Sequence, residues 1–310
     1  MTQTTPPSTF FTHFIAIDWS ARNKPSPAKP SKDAIWLAEA TAAGRVNTRY
    51  FRTRAACYTY LERRLVRLRH QRVLVGWDFA FGYPRGLRRA LRLKEKPPWR
   101  AIWNFIRDHV EDRVDNRNNR FAVGALLNER IRAGGGPFWG VPVGQSGIFL
   151  GSRRDFSYPV RTKQGPLEER RLVERLHPRM QPPWKLAYTG SVGSQTLLGI
   201  PYLCRLRDHE KLRDVSRIWP FETTEGDVEG RRSAGARIIH AEIYPSLLSL
   251  PKRDGIPDRE QVREYVRWLQ RRQEGGDLTG LLRRPWGEDA AVHGRVVRQE
   301  GWVLGCVYGH

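Results

Sequence analysis

The sequence predicts an α/β fold, a mixed sheet in which hairpin-joined strands gain a parallel neighbour through a helical crossover. Three observations carry that expectation. Two short apolar runs, Phe14 to Ile17 in HFIAIDWS and Val73 to Val75 in RVLVGWDFAFG, read as strands buried on both faces. Each run ends in an acid, Asp18 in the first and Asp78 in the second. Between them the order is strand, strand, strand, helix, strand, which builds a hairpin sheet and then adds a parallel strand.

After the first strand, residues 21–32, ARNKPSPAKPSK, form a loop by composition. Residues 33–41, DAIWLAEAT, and 45–52, RVNTRYFR, read as strands two and three around a turn at Gly44. Residues 54–70 place Tyr58, Leu61, Leu65 and Leu68 on one helical face. Residues 84–190 break the rhythm and read as a mostly helical insertion after the fourth strand, with helices at 99–110, 120–133 and 166–176. A Gly, Pro and aromatic patch lies at 134–143. The tract LAYTGSVGSQTLLGIP (186–201) reads as a turn opening a helix at 192–198. Its glycines and serines either cradle a phosphate on free N–H groups or supply a Ser N-cap. Further strands are expected at 218–222 and 237–244. Helices are expected at 258–272, with Asp258 as N-cap, and at 286–299. The closing EGWVLGCVYGH reads as an apolar tail packed on the body.

Composition narrows the function. The 310 residues are 39% hydrophobic, enough for a core, so residues 13–310 read as one domain behind a disordered lead-in at 1–12. No apolar run is long enough to span a bilayer, and the N-terminus lacks a signal-peptide pattern. Cys57, Cys204 and Cys306 are scattered, which argues for a reducing compartment and against a zinc site; a cytoplasmic location is expected. With 54 basic and 32 acidic residues the chain carries +22, a field suited to a nucleic-acid partner. The excess is nearly all arginine, which a GC-rich genome also produces.

Asp18, Asp78, Glu242 and the pair Glu288/Asp289 all begin or end elements expected to be buried. Mg²⁺ or Mn²⁺ needs only two or three carboxylates beside water, and phosphodiester hydrolysis uses such clusters. Each acid alone has a plainer role. Asp18 suits a loop cap, Asp78 an arginine partner, Glu242 an interstrand salt bridge, and Glu288 and Asp289 a helix N-terminus. Taken together, their matching contexts favour a metal cluster.

The succession AIDWS, VGWDFAFGYP, AEIYPSLL and EDAAVHG…EGWVLG resembles the DUF429 family of predicted nucleases, from about Ile15 to Gly305. That resemblance implies an RNase H-like, mixed five-stranded sheet flanked by helices, with the first and fourth strands adjacent. It implies a metal-dependent catalytic site in which Asp18, Asp78 and Asp289 match the family acids. Glu288 is an extra metal candidate, and Glu242 matches a Glu-x-Tyr-Pro acid. The more polar, Arg-bearing EDAAVHGRVV departs from the family's pattern at the third ligand.

His177 and His293 suit acid–base work near neutral pH, although such a histidine is more often polar surface. Trp77, Trp99, Trp103, Phe138 and Trp139 suit base stacking, although aromatics at this density usually build core. The NRNNR run at 116–120 suits phosphate contact or a solvated helix start. A Mg²⁺- or Mn²⁺-dependent nuclease thus leads. A non-catalytic basic nucleic-acid-binding protein on the same scaffold comes second. An actin- or sugar-kinase-like phosphotransferase ranks last, since the loop after Asp18 is rich in Pro and Lys instead of Gly.

Overall fold

The computed structural model describes residues 10–131, 136–229, 236–248 and 255–308. It is an α/β structure whose mixed sheet has six strands in the order β3-β2-β1-β4-β8-β7. Strands β1 (His13–Asp18), β2 (Ile35–Thr41) and β3 (Asn47–Phe51) form an antiparallel meander. Helix α1 (Arg54–Arg67), capped by the Thr53 hydroxyl, carries the chain back so that β4 (Val73–Asp78) lies parallel to β1. Strand β8 (Ile238–Glu242) is parallel to β4, and β7 (Ser216–Ile218) is parallel to β8.

Alternation along the strands sorts the core into two layers. Ile15, Ile17, Val73, Val75 and Trp77 face one apolar cluster, while Phe14, Ala16, Leu74, Ile239 and Ala241 face the other. Both faces are covered, so the β1 and β4 runs are continuously apolar.

The first cluster packs under α1 and most of the segment between β4 and β7, of which Val173 and Met180 join the second cluster instead. That segment holds α2 (Leu87–Ala90), α3 (Pro98–His109), α4 (Arg120–Ile131), a hairpin of β5 (Val160–Thr162) and β6 (Gly165–Leu167), α5 (Leu172–Leu176) and α6 (Gly193–Asp208). Where one helix is expected across 166–176, the chain forms β6 and the short α5. The Thr162–Gly165 turn, with Gly165 at φ 111°, closes a hairpin there. Residues 132–135, which fall in the expected helix and the glycine-rich patch, lie outside the described residues.

The second cluster packs under α7 (Glu225–Glu229), α8 (Pro257–Glu274), α9 (Leu278–Arg283), α10 (Ala290–Arg295) and the C-terminal tail. Helix α8 lies across β1 and β2 and buries Val262, Tyr265, Val266 and Leu269 at helical spacing. The last helix starts later than residue 286 because Asp289 caps it; a π-helical turn, Val296–Glu300, follows α10. The tail then runs along β8, where the Leu304 N–H donates to the Glu242 carbonyl at 2.9 Å. Residues 309–310 are not described. Of the expected lead-in, residues 1–9 lie outside the described residues, whereas Phe11 is fully buried and its N–H donates to Gln273.

Cys57, Cys204 and Cys306 are buried free thiols. Among the described residues no helix is long and apolar enough to cross a membrane.

Gly82, just past β4, sits so close to the π-helical turn that a Cβ would stand 2.3 Å from the Glu300 carbonyl oxygen. The obstacle is backbone and cannot rotate away. Gly82→Ala is therefore expected to destabilise the fold by about 1–3 kcal/mol, read as a lower denaturant midpoint at unchanged m-value.

Candidate active site

Asp18 and Asp78 are paired residues at the C-terminal ends of two adjacent parallel strands. Neighbouring strands lie about 4.8 Å apart, and residues in register project to the same face, so both carboxylates emerge side by side. They open into a cavity of about 500 Å³ at that end of the sheet, which Asp33, Asp258, Arg22 and Arg120 also line.

Asp258 stands in the first turn of α8, the helix that covers the face to which the two aspartates point. Pro257 opens this helix behind Ile256, so Asp258 is not its N-cap. Its carboxylate instead accepts from the Asp33 backbone N–H at 2.6 Å.

No salt bridge or side-chain hydrogen bond compensates Asp18 or Asp78 among the described residues. Burial raises the Asp18 carboxyl well above the usual carboxylate range, and Asp78, Asp258 and Asp33 add to the rise. Asp78 is pushed up to about 7 by burial, with Glu242 and Asp258 contributing. Burial also raises Asp258. The pair offers four carboxylate oxygens without a salt bridge among the described residues, a donor set that a hard divalent cation accepts.

Glu242 lies elsewhere. On β8 it pairs with Trp77, one residue before Asp78, so its side chain leaves the sheet on the opposite face. There Arg171 grips it through two nitrogens, at 2.6 and 2.8 Å, and it accepts from the Phe81 N–H. The Arg171 guanidinium also bonds Glu174 at 2.7 Å and the Glu300 carbonyl. Burial alone would lower its pKa, but Glu174 and Glu242 outweigh that and raise it. Glu242 thus forms the buried salt bridge that was its plainer alternative, with a partner from the insertion instead of a neighbouring strand.

Neither Glu288 nor Asp289 lines the cavity of Asp18 and Asp78. Asp289 accepts from the Ala291 and Val292 N–H groups, at 2.7 and 2.9 Å, as a helix cap. Glu288 is exposed and pairs with Arg284. His293 accepts from the Trp286 indole and lines a different cavity. His177 has its pKa lowered by burial. Trp77, Trp99, Trp103 and Phe138 are buried core, and Trp139 packs against it. In the NRNNR run, Asn116 is buried and accepts from the Arg54 N–H, whereas Arg120 reaches the cavity.

Among the described residues no group of three or more His, Cys, Asp or Glu side chains is placed to hold a metal ion. The arrangement fits an ion held by two carboxylates and completed by water, the usual manner of Mg²⁺, more closely than a three-carboxylate cage. Compared with family models, curated proteins and solved structures, the chain matches none.

Proposed function

We propose that the protein is a divalent-metal-dependent phosphodiester hydrolase acting on nucleic acid, with Asp18 and Asp78 as the metal-holding carboxylates. One observation carries the proposal: two registered, uncompensated aspartates at adjacent parallel strand ends, open to a cavity. Asp258, on the helix over the same face, lines the cavity as a further acid but is engaged by the Asp33 N–H, so the proposal rests on the two strand-end aspartates. A divalent ion bound there would supply Lewis-acid polarisation of a phosphoryl oxygen and activation of water.

The order β3-β2-β1-β4-β8, antiparallel through β1 and parallel beyond it, supports an RNase H-like sheet with β7 as an added edge. The DUF429 resemblance implies five strands with the first and fourth adjacent; β1 and β4 are neighbours, and the sheet has a sixth strand, β7. A nucleic-acid partner is supported by the net +22 charge. It is supported too by a cavity of about 680 Å³ between the β2–β3 edge and α1, where Arg45, Arg49, Arg63, Arg64 and Arg67 face a single acid, Glu39.

The test is cleavage of labelled single-stranded, duplex and RNA–DNA hybrid substrates with Mg²⁺ or Mn²⁺. Wild type is expected to cut at least one of them, and Asp18→Asn to lose about 100-fold or more of that rate. Equal cleavage by the two proteins would exclude the carboxylate pair as the site. A stable wild type that binds the ions and cuts none of the substrates would favour the non-catalytic binding protein.

A further inference from the structure

The N-terminal end of α6 shares the cavity with the carboxylates, contributing Ser191, Ser194 and Gln195 to its lining. The Ser N-cap expected there is missing: Val192 occupies the cap position and no side chain caps the helix. Gly193 N–H donates to the Lys185 carbonyl and Thr196 N–H to Val192, but the N–H groups of Ser194 and Gln195 find no acceptor among the described residues. A 16-residue helix therefore turns two free donors and its positive dipole end toward this space.

Two side chains, Trp19 and Arg120, independently point to an anionic occupant. Trp19, only 1% exposed, lines the same cavity, and its indole N–H has no acceptor. Arg120 bonds the Ser194 hydroxyl through Nε at 3.0 Å and Asn118 and Asn23 through Nη1; among the described residues its Nη2 makes no hydrogen bond and no carboxylate forms a salt bridge with it. Burial and the neighbouring Arg54 push its pKa down to about 10, with Asp112 offsetting only part of the shift. Gln195 adds an unpartnered side-chain oxygen, an acceptor suited to a phosphate O–H or a water. In one cavity, therefore, the carboxylate pair has no salt bridge, and a guanidinium and three N–H groups have no anion among the described residues.

We infer that this wall is a phosphate subsite, in which the Ser194 and Gln195 backbone N–H groups, the Arg120 guanidinium and the Trp19 indole N–H take a phosphoryl group of a phosphoester. The subsite deepens the hydrolase proposal and rests on it for any chemistry after binding; binding itself requires only the donors. A metal on the carboxylates and a phosphate on these donors in the same cavity would attract one another, so each tightens the other by the same factor.

The test is calorimetric titration of inorganic phosphate, and separately of a single-stranded DNA hexanucleotide, into wild type, Arg120→Gln and Arg120→Lys. It is run with EDTA at pH 6, where Asp78 is largely protonated and repels the anion least. Wild type is expected to bind phosphate, Arg120→Gln to bind about tenfold more weakly or worse, and Arg120→Lys to recover part of the loss. Thermal unfolding of each variant establishes that it is folded. Equal affinities in wild type and a folded Arg120→Gln, or no phosphate binding by wild type, would overturn the subsite. A hexanucleotide weakened by the same factor assigns the phosphate to a nucleic-acid backbone; one left unaffected assigns it to a small phosphoester. Mn²⁺ titration of the same proteins separates the two proposals. Phosphate binding without Mn²⁺ uptake removes the hydrolase and keeps the subsite, and Mn²⁺ uptake without phosphate binding does the reverse.

Discussion

Asp78→Asn is expected to stabilise the metal-free protein at pH 8 while abolishing its response to divalent ions. Folding raises the Asp78 carboxyl from its ordinary 3.8 to about 7, so the folded state holds that proton more tightly than the unfolded chain. Its stabilising contribution is complete below about pH 4 and is lost as the pH climbs through 7. The difference amounts to on the order of 4 kcal/mol at 1.36 kcal/mol per pH unit, shared in practice with its neighbour Asp18. Asparagine keeps the shape and removes the charge. The variant is expected to gain about 2–4 kcal/mol over wild type at pH 8 and under about 1 kcal/mol at pH 4, read as a difference in unfolding temperature of about 5 °C or more that opens with pH. Excess Mn²⁺, at about 100 times its Kd, would return about 2.7 kcal/mol to wild type and about 0.4 kcal/mol or less to the variant. A stability difference that did not change with pH would contradict the burial of an uncompensated Asp78.

Arg171→Leu is expected to be the most damaging single change outside the site. Arg171 is 2% exposed and holds two buried carboxylates, Glu174 and Glu242, together with the Glu300 carbonyl. Glu300 in turn accepts from the Arg85 and Leu172 N–H groups, so one guanidinium ties the insertion, β8 and the C-terminal segment together. Removing it leaves two charges buried without a counter-ion. The expected loss is about 3–5 kcal/mol, measured by denaturant unfolding. Glu242→Gln keeps the Arg171–Glu174 pair and should cost less. A loss under about 1 kcal/mol for Arg171→Leu would mean that these carboxylates find other partners or take up protons.

The elements that dominate the fold were legible because their residues act locally. The apolar runs of β1 and β4 needed burial on both faces, and the 3–4 spacing of Val262, Tyr265, Val266 and Leu269 required a helix. The neighbours that complete the cavity were not legible locally. Asp258 and Asp33 are 225 positions apart and meet through a backbone N–H, and at a helix start Asp258 looks like an ordinary cap. Asp289 carries the same local signature and is in fact a cap. Glu242 was misleading for another reason. A strand buried on both faces shows no alternation, so nothing in IIHAE tells which residues share a face with Asp78 until the register with β4 is known. Arg120 was noted as part of a basic run; its distinction is that it alone of NRNNR lines the carboxylate cavity.

The measurement that bears most directly on the carboxylate pair is calorimetric titration of Mn²⁺ into wild type and Asp78→Asn at pH 8, where Asp78 is ionised. Saturable binding by wild type, weakened about 100-fold or more in the variant, is the expected result. Absence of binding in both, or equal binding in both, would contradict a metal site built on Asp18 and Asp78.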